Sequence, residues 1–270
     1  MIKIVKKHPI LSYLIITFGW TWIVVALLIF SGNADISNPN LIFIISGIIS
    51  GLSPSIAGIL IARITKEKAV RQRIKQRPQL RMILLSILIV PFIQIVTMLF
   101  SHKVIRPYAF QFVLPMVIMG LVWPIFSSLG EEFGWRGFLL PRFFSKHSVL
   151  LSGIIVGIVW SAWHLPMDYI GYKDYGVYTI PMFLLSFANL IIQSIIMTNI
   201  FTRSSGNIFL MILYHYTITS TGILTGALFQ TINSPLYSIY ESLISISLFT
   251  LCAVILYKTA PVNKLKNKQT

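Results

Sequence analysis

Long apolar segments follow one another along the chain with only short polar stretches between them, and nothing else limits the fold as strongly. Eight can be read in the 270 residues, at about 10–31, 41–62, 82–101, 110–140, 148–167, 178–201, 206–230 and 236–257. A helix needs roughly 20 apolar residues to cross the hydrocarbon core of a bilayer. Lipid offers no partner to a bare N–H or C=O, so each segment has to be helical. The expected fold is an all-α polytopic membrane protein of about eight transmembrane helices. Residues 1–270 form one membrane domain, with no stretch left for a second, soluble one. Charged residues make up 11% of the chain, against about 25% in a soluble domain. The fourth segment is too long for a simple span, and Pro115 or Pro124 is expected to break it.

The basic residues set an orientation. With the N-terminus in the cytoplasm, 19 of the 22 Lys and Arg residues fall on that side, and only Lys103, Arg106 and Lys173 fall on the other. An even number of spans with both termini cytoplasmic therefore satisfies the positive-inside rule. The net charge of +15 is accounted for in this way and does not point to nucleic acid. The most basic connection, 63–81, reads as a topology determinant lying on anionic headgroups. Lys3 to Lys7 followed by an apolar run from Leu11 to Phe30 has the layout of a signal peptide. The run is too long for one and no Ala-x-Ala site follows, so an uncleaved first span is expected. The lone cysteine, Cys252, excludes an intramolecular disulfide and reads as a small apolar side chain.

Against this background a few polar residues stand out within the spans: Glu131, Glu132, Arg136, His164, Asn189, Gln193, His215 and Glu241. A charge at bilayer depth costs roughly 2.5–3.5 kcal/mol on insertion scales, which makes it a functional candidate by default. Positions i and i+4 share a helix face, so Arg136 should meet Glu132 and neutralise it. Glu131 is rotated by about 100° from Glu132 and keeps no local partner. It is free to enter a polar cavity and act as a base. His164, in Trp160-Ser-Ala-Trp-His164-Leu-Pro166, precedes a proline expected to end its helix. His215 has Thr219 one turn on. His8, His102 and His147 lie at segment ends or in loops and read as interfacial.

One glutamate and two histidines from three helices could jointly activate a water. They could hold a divalent metal such as zinc with an open position, His164 and His215 being its ligands. They could equally build an acid/base and oxyanion site without a metal. Helix rise places His215 and Glu131 each ~14 Å from the cytoplasmic end of its helix, but His164 ~24 Å, a mismatch of about 10 Å that goes away if the fifth helix starts in the headgroups or tilts strongly.

The motifs together resemble those of the CPBP intramembrane proteases, the type II CAAX prenyl endopeptidases also called the Abi family. Glu131-Glu132-x-x-x-Arg136 is similar to their first motif. Trp160-Ser-Ala-Trp-His164 is similar to the second, an aromatic residue (usually Phe), three residues and His. His215 fits the third, where Thr219 stands in place of the expected Asn. The lead-in Thr202-Arg203-Ser-Ser-Gly206-Asn207 is also similar, so the protease-like core covers about 120–220.

The resemblance implies an eight-helix fold with a cavity open to the cytoplasm. It implies catalytic roles for Glu131, as activator of water, and for His164 and His215. Glu132, Arg136 and Thr219 become supporting residues. The implied substrate is a membrane-associated or lipidated peptide or protein, and the partner is the bilayer. Composition suggests a bacterial protein of the cytoplasmic membrane.

Two other functions are weighed beside the endopeptidase. A non-catalytic or weakly catalytic bacteriocin-immunity or membrane interaction protein of the same fold is favoured by Thr219. A small transporter is disfavoured, because there is no internal repeat and few other charges lie within the spans. The signatures His-Glu-x-x-His, Gly-x-Ser-Gly and Gly-x-Gly-Asp are all absent from the sequence.

Overall fold

The computed structural model describes residues 2–36, 39–66, 77–101, 103–105, 110–230 and 234–259. His102, Arg106, the middle of the 63–81 connection and the lysines of the C-terminal tail beyond Thr259 lie outside those residues. Eight stretches among the described residues are long and apolar enough to cross a membrane, as the hydropathy pattern predicts.

A short helix, α1 (Ile2–Lys7), leads into α2 (Pro9–Phe30). The second span consists of two helices, α3 (Leu41–Gly51) and α4 (Ser53–Ile64), joined at Leu52. Then come α5 (Leu80–Phe100) and α6 (Phe110–Gly134). A π-helical turn, Trp135–Leu139, and α7 (Leu140–Phe144) continue α6. The chain ends with α8 (Val149–Tyr172), α9 (Thr179–Arg203), α10 (Ile208–Leu228) and α11 (Pro235–Lys258). Helix starts carry their signals. The side chains of Asn40, Ser148 and Asn207 accept from the backbone N–H groups of Phe43, Leu151 and Leu210, which fills part of the unmet donor set of each first turn.

Three expectations about breaks need correction. Neither Pro115 nor Pro124 interrupts α6, and Pro166 lies inside α8, which runs on to Tyr172. A proline in a helix removes one N–H and crowds the preceding turn. Here donors from neighbouring helices meet carbonyls near two of these prolines. The Tyr216 hydroxyl donates to the carbonyl of Leu121 at 3.1 Å. The Trp22 indole N–H donates to the carbonyl of Trp163 at 3.3 Å. Leu121 and Trp163 each stand three residues before a proline, in the turn that its ring crowds, and such cross-helix donors help membrane helices to tolerate proline. The discontinuities fall instead at Leu52 and in the π-helical turn, where the N–H of Leu140 reaches back to the carbonyl of Trp135.

One feature has no counterpart in the sequence reading. Val104–Ile105 pairs antiparallel with Phe229–Gln230, in the register Val104 to Gln230. This ties the connection after α5 to the end of α10. Lys103 forms an ion pair with Glu241 of α11 beside it, so Glu241 belongs to this tie.

Candidate active site

The site begins with two glycines. A Cβ on Gly130 would lie 2.4 Å from the carbonyl oxygen of Gly51, and one on Gly134 would lie 2.2 Å from that of Pro54. The end of α6 therefore lies directly on the α3–α4 joint, backbone against backbone. Small residues four apart are the usual means of such an approach in membranes, where packing contacts replace the hydrophobic effect between helices. Between these glycines sit Glu131 and Glu132, and the π-helical turn with Trp135 and Arg136 follows at once. Single π turns inside α-helices recur at functional sites.

Glu132 and Arg136 are fully buried, and Glu131 and His215 are each 3% exposed. The Arg136 Nη1–H donates to Oε1 of Glu132 at 2.8 Å, the expected i, i+4 pair. The same oxygen lies 2.8 Å from Nδ1 of His215, which comes from α10. Glu132 is therefore shared, and it fixes His215 as well as neutralising Arg136. A carboxylate beside Nδ1 assigns the proton to that nitrogen. Nε2 of His215 then lies 3.8 Å from Oε1 of Glu131.

Glu131 is not without local partners, contrary to expectation. Its Oε2 accepts from the indole N–H of Trp160 at 2.7 Å and from that of Trp135 at 3.3 Å. Trp135 is one turn further along the chain, so the i, i+4 geometry serves Glu131 as well as Glu132. The Arg136 guanidinium lies 4.4 Å from the centre of the Trp160 ring, a cation–π contact.

His164 is half-buried. Its Nδ1 lies 2.9 Å from the carbonyl oxygen of Trp160. The Trp160 ring packs edge-on against both histidines, with centroids 5.7 Å from His164 and 5.3 Å from His215. The indole thus links His164, through its ring, to Glu131, through its N–H. It sits one turn before His164 and reaches Glu131 directly.

Thr219, one turn beyond His215, turns its hydroxyl to the His215 carbonyl at 3.3 Å. Gln193 accepts from the Tyr214 hydroxyl at 2.7 Å and donates to Asn189 at 3.5 Å, forming a separate polar link between α9 and α10.

Sequence reasoning missed three residues. Trp160 enters that reasoning only as the aromatic position of the second motif and Trp135 not at all, although an indole N–H at bilayer depth needs an acceptor and so signals one. Asp168 escaped because the fifth segment was ended at 167. It lies one turn past His164 on the continued helix, half-buried, and accepts from the Ser186 hydroxyl at 3.2 Å.

Glu131, Glu132, Arg136 and His215 are buried. Two cavities lie away from them, one of about 110 Å³ beside Ile29 and Tyr169 and an apolar groove of about 370 Å³ along α5. Among the described residues, no three His, Cys, Asp or Glu side chains converge closely enough to hold a metal ion. Nδ1 of each histidine is already engaged, which leaves Nε2 of His164, Nε2 of His215 and Oε1 of Glu131, and of these the last two face each other at 3.8 Å.

Residues 111–221, about two fifths of the chain, match the family model described as type II CAAX prenyl endopeptidase Rce1-like. The protein is also similar to CAAX prenyl protease 2 of Methanococcus maripaludis, at 30% identity over 91 residues. That match covers 33% of this chain and 34% of the relative, so the chain spans about a third of the length of the curated relative it matches.

Proposed function

We propose that this integral membrane protein, whose residues 111–221 belong to the Rce1-like type II CAAX prenyl endopeptidase family, is a membrane-embedded endopeptidase. It hydrolyses a peptide bond near the cytoplasmic face with a water activated by Glu131. The observation that carries this reading is the pairing of two atoms. Oε1 of Glu131 and Nε2 of His215 face each other at 3.8 Å, too far for a direct hydrogen bond and close enough to share one water or one substrate oxygen.

In this reading Oε1 of Glu131 takes a proton from water as the hydroxide forms its bond to the substrate carbonyl carbon. The carbonyl electrons move to oxygen. The Nε2–H groups of the two histidines, present when each imidazole is protonated, are the available donors for that oxyanion. Glu132 holds His215 in place through Nδ1, as the carboxylate of a triad orients its imidazole. Protonated Glu131 then gives its proton to the departing nitrogen, the C–N bond breaks, and the carboxylate is restored. With His215 protonated, Glu131, Glu132, Arg136 and His215 sum to zero charge, and a buried ionic cluster is tolerable only when so paired.

Glu132 Oε2 and Arg136 Nε and Nη2 are buried and meet no hydrogen-bond partner among the described residues. They are further capacity for water or a substrate amide once the pocket opens. The basic residues at the Arg142, Lys146 and Arg203 end of the bundle support a cytoplasmic placement.

The test is cleavage of prenylated CAAX peptides and of transmembrane peptides by protein in liposomes, comparing wild type with Glu131→Ala, His164→Ala and His215→Ala. Loss of cleavage per folded molecule in all three is the expected result. Wild-type turnover in all three would refute the assignment. Metal content and activity before and after chelation decide whether a divalent ion takes part.

A further inference from the structure

The tryptophans that hold Glu131 point to a role beyond packing. Both indole N–H groups converge on one oxygen, Oε2, at 2.7 and 3.3 Å. The other oxygen, Oε1, faces His215 at 3.8 Å. The two rings are themselves fixed. Trp135 is fully buried between Tyr13 and Trp163, with edge-to-face centroids at 5.6 and 5.8 Å. Trp160 is 1% exposed and is packed by Arg136, His164 and His215. Neither ring can turn its N–H elsewhere without breaking these contacts.

A carboxylate is symmetric until its surroundings distinguish its oxygens. Here rotation of the Glu131 carboxylate would break two hydrogen bonds to a charged acceptor, each stronger than a neutral one. Bonds formed before the reaction cost no reorganisation during it. We propose that Trp160 and Trp135 are positioning residues that bind Oε2 of Glu131 and so make Oε1 the atom that accepts the proton of water. The proposal rests on Glu131 being the base. It also gives a meaning to a departure from the motif: at position 160 a phenylalanine would keep the ring and supply no donor. This chain has a donor there, and Trp160 is the closer of the two.

The substitution Trp160→Phe removes the N–H and keeps most of the ring. Two measurements on the full-length protein in liposomes test the proposal. The first is steady-state cleavage of a prenylated CAAX peptide. The expected result is a fall in kcat of about tenfold with KM within about twofold, and a further fall of similar size when Trp135→Phe is added. A structural role alone would lower the melting temperature and leave kcat per folded molecule intact.

The second is ultraviolet resonance Raman of the indole N–H marker band, which needs no substrate. Glu131→Ala should move the signal of hydrogen-bonded tryptophan toward that of free indole, and Trp160→Phe should remove most of the same component. An unchanged band in Glu131→Ala overturns the clamp, and an unchanged kcat in Trp160→Phe overturns its positioning role. If the wild type cleaves nothing, the hydrolase reading and the positioning role both fail. The Raman result would then still decide whether the clamp exists.

Discussion

The two halves of the fourth span differ in charge and in surroundings: residues 110–129 carry no charged side chain, and residues 130–140 carry Glu131, Glu132 and Arg136. In the first half Leu114, Met116, Ile118, Leu121, Val122, Ile125, Phe126 and Leu129 are all exposed on the bundle surface, where they meet lipid. From Gly130 onward, through the π-helical turn to Leu140, every residue except Phe133 is buried. The charges mark the second half in the sequence, but its apolar residues do not tell lipid from protein, since an apolar side chain is content in either. What encloses the second half is glycine spacing. Gly130 and Gly134 bring the second half onto the Gly51–Pro54 joint, and only there can charged side chains be enclosed by partners. The site is deep because the backbone approach is close.

The sharpest way to break that contrast is Gly134→Leu. Its Cβ would lie 2.2 Å from a backbone carbonyl oxygen and 2.6 Å from the Tyr13 hydroxyl, and backbone cannot yield as a flexible side chain can. The expected outcome is loss of folded protein, read as absence of a monodisperse peak in detergent. Next in size is Arg136→Leu. Removing one partner of a buried ion pair typically costs about 3–5 kcal/mol. Glu132 would keep only His215, and the melting temperature should fall steeply. Least is Leu121→Ala, in the lipid-facing half. A substitution on such a surface should stay within about 0.5 kcal/mol, and a large loss of stability there would show that the two halves are not different in kind.

Much of the fold was legible in the sequence, because the bilayer imposes length and apolarity on each span. The segment read at 82–101 is Leu80–Phe100, and that read at 236–257 is Pro235–Lys258. What failed were the proline breaks, since the donors supplied by Tyr216 and Trp22 come from residues distant in sequence. In the site, the Glu132–Arg136 pair followed from helix periodicity alone. The contact between Glu132 and His215 joins residues 83 positions apart and depends on how α6 and α10 pack. That contact makes Glu132 more than a counter-ion. The indoles on Glu131 were hidden for a related reason, because aromatic residues in a span are expected in any case and only the packed structure shows where their N–H groups point.

The central claim is that a buried carboxylate, Glu131, activates the water that cleaves a peptide bond. The direct measurement is mass spectrometry of a prenylated CAAX peptide incubated in ¹⁸O water with liposomes carrying either wild type or Glu131→Gln, at matched amounts of folded protein. The account predicts that the wild type places a single ¹⁸O atom in the new carboxyl terminus. Glu131→Gln, isosteric and unable to accept the proton, should do so about a thousandfold more slowly. Label incorporation by Glu131→Gln within tenfold of wild type would contradict it.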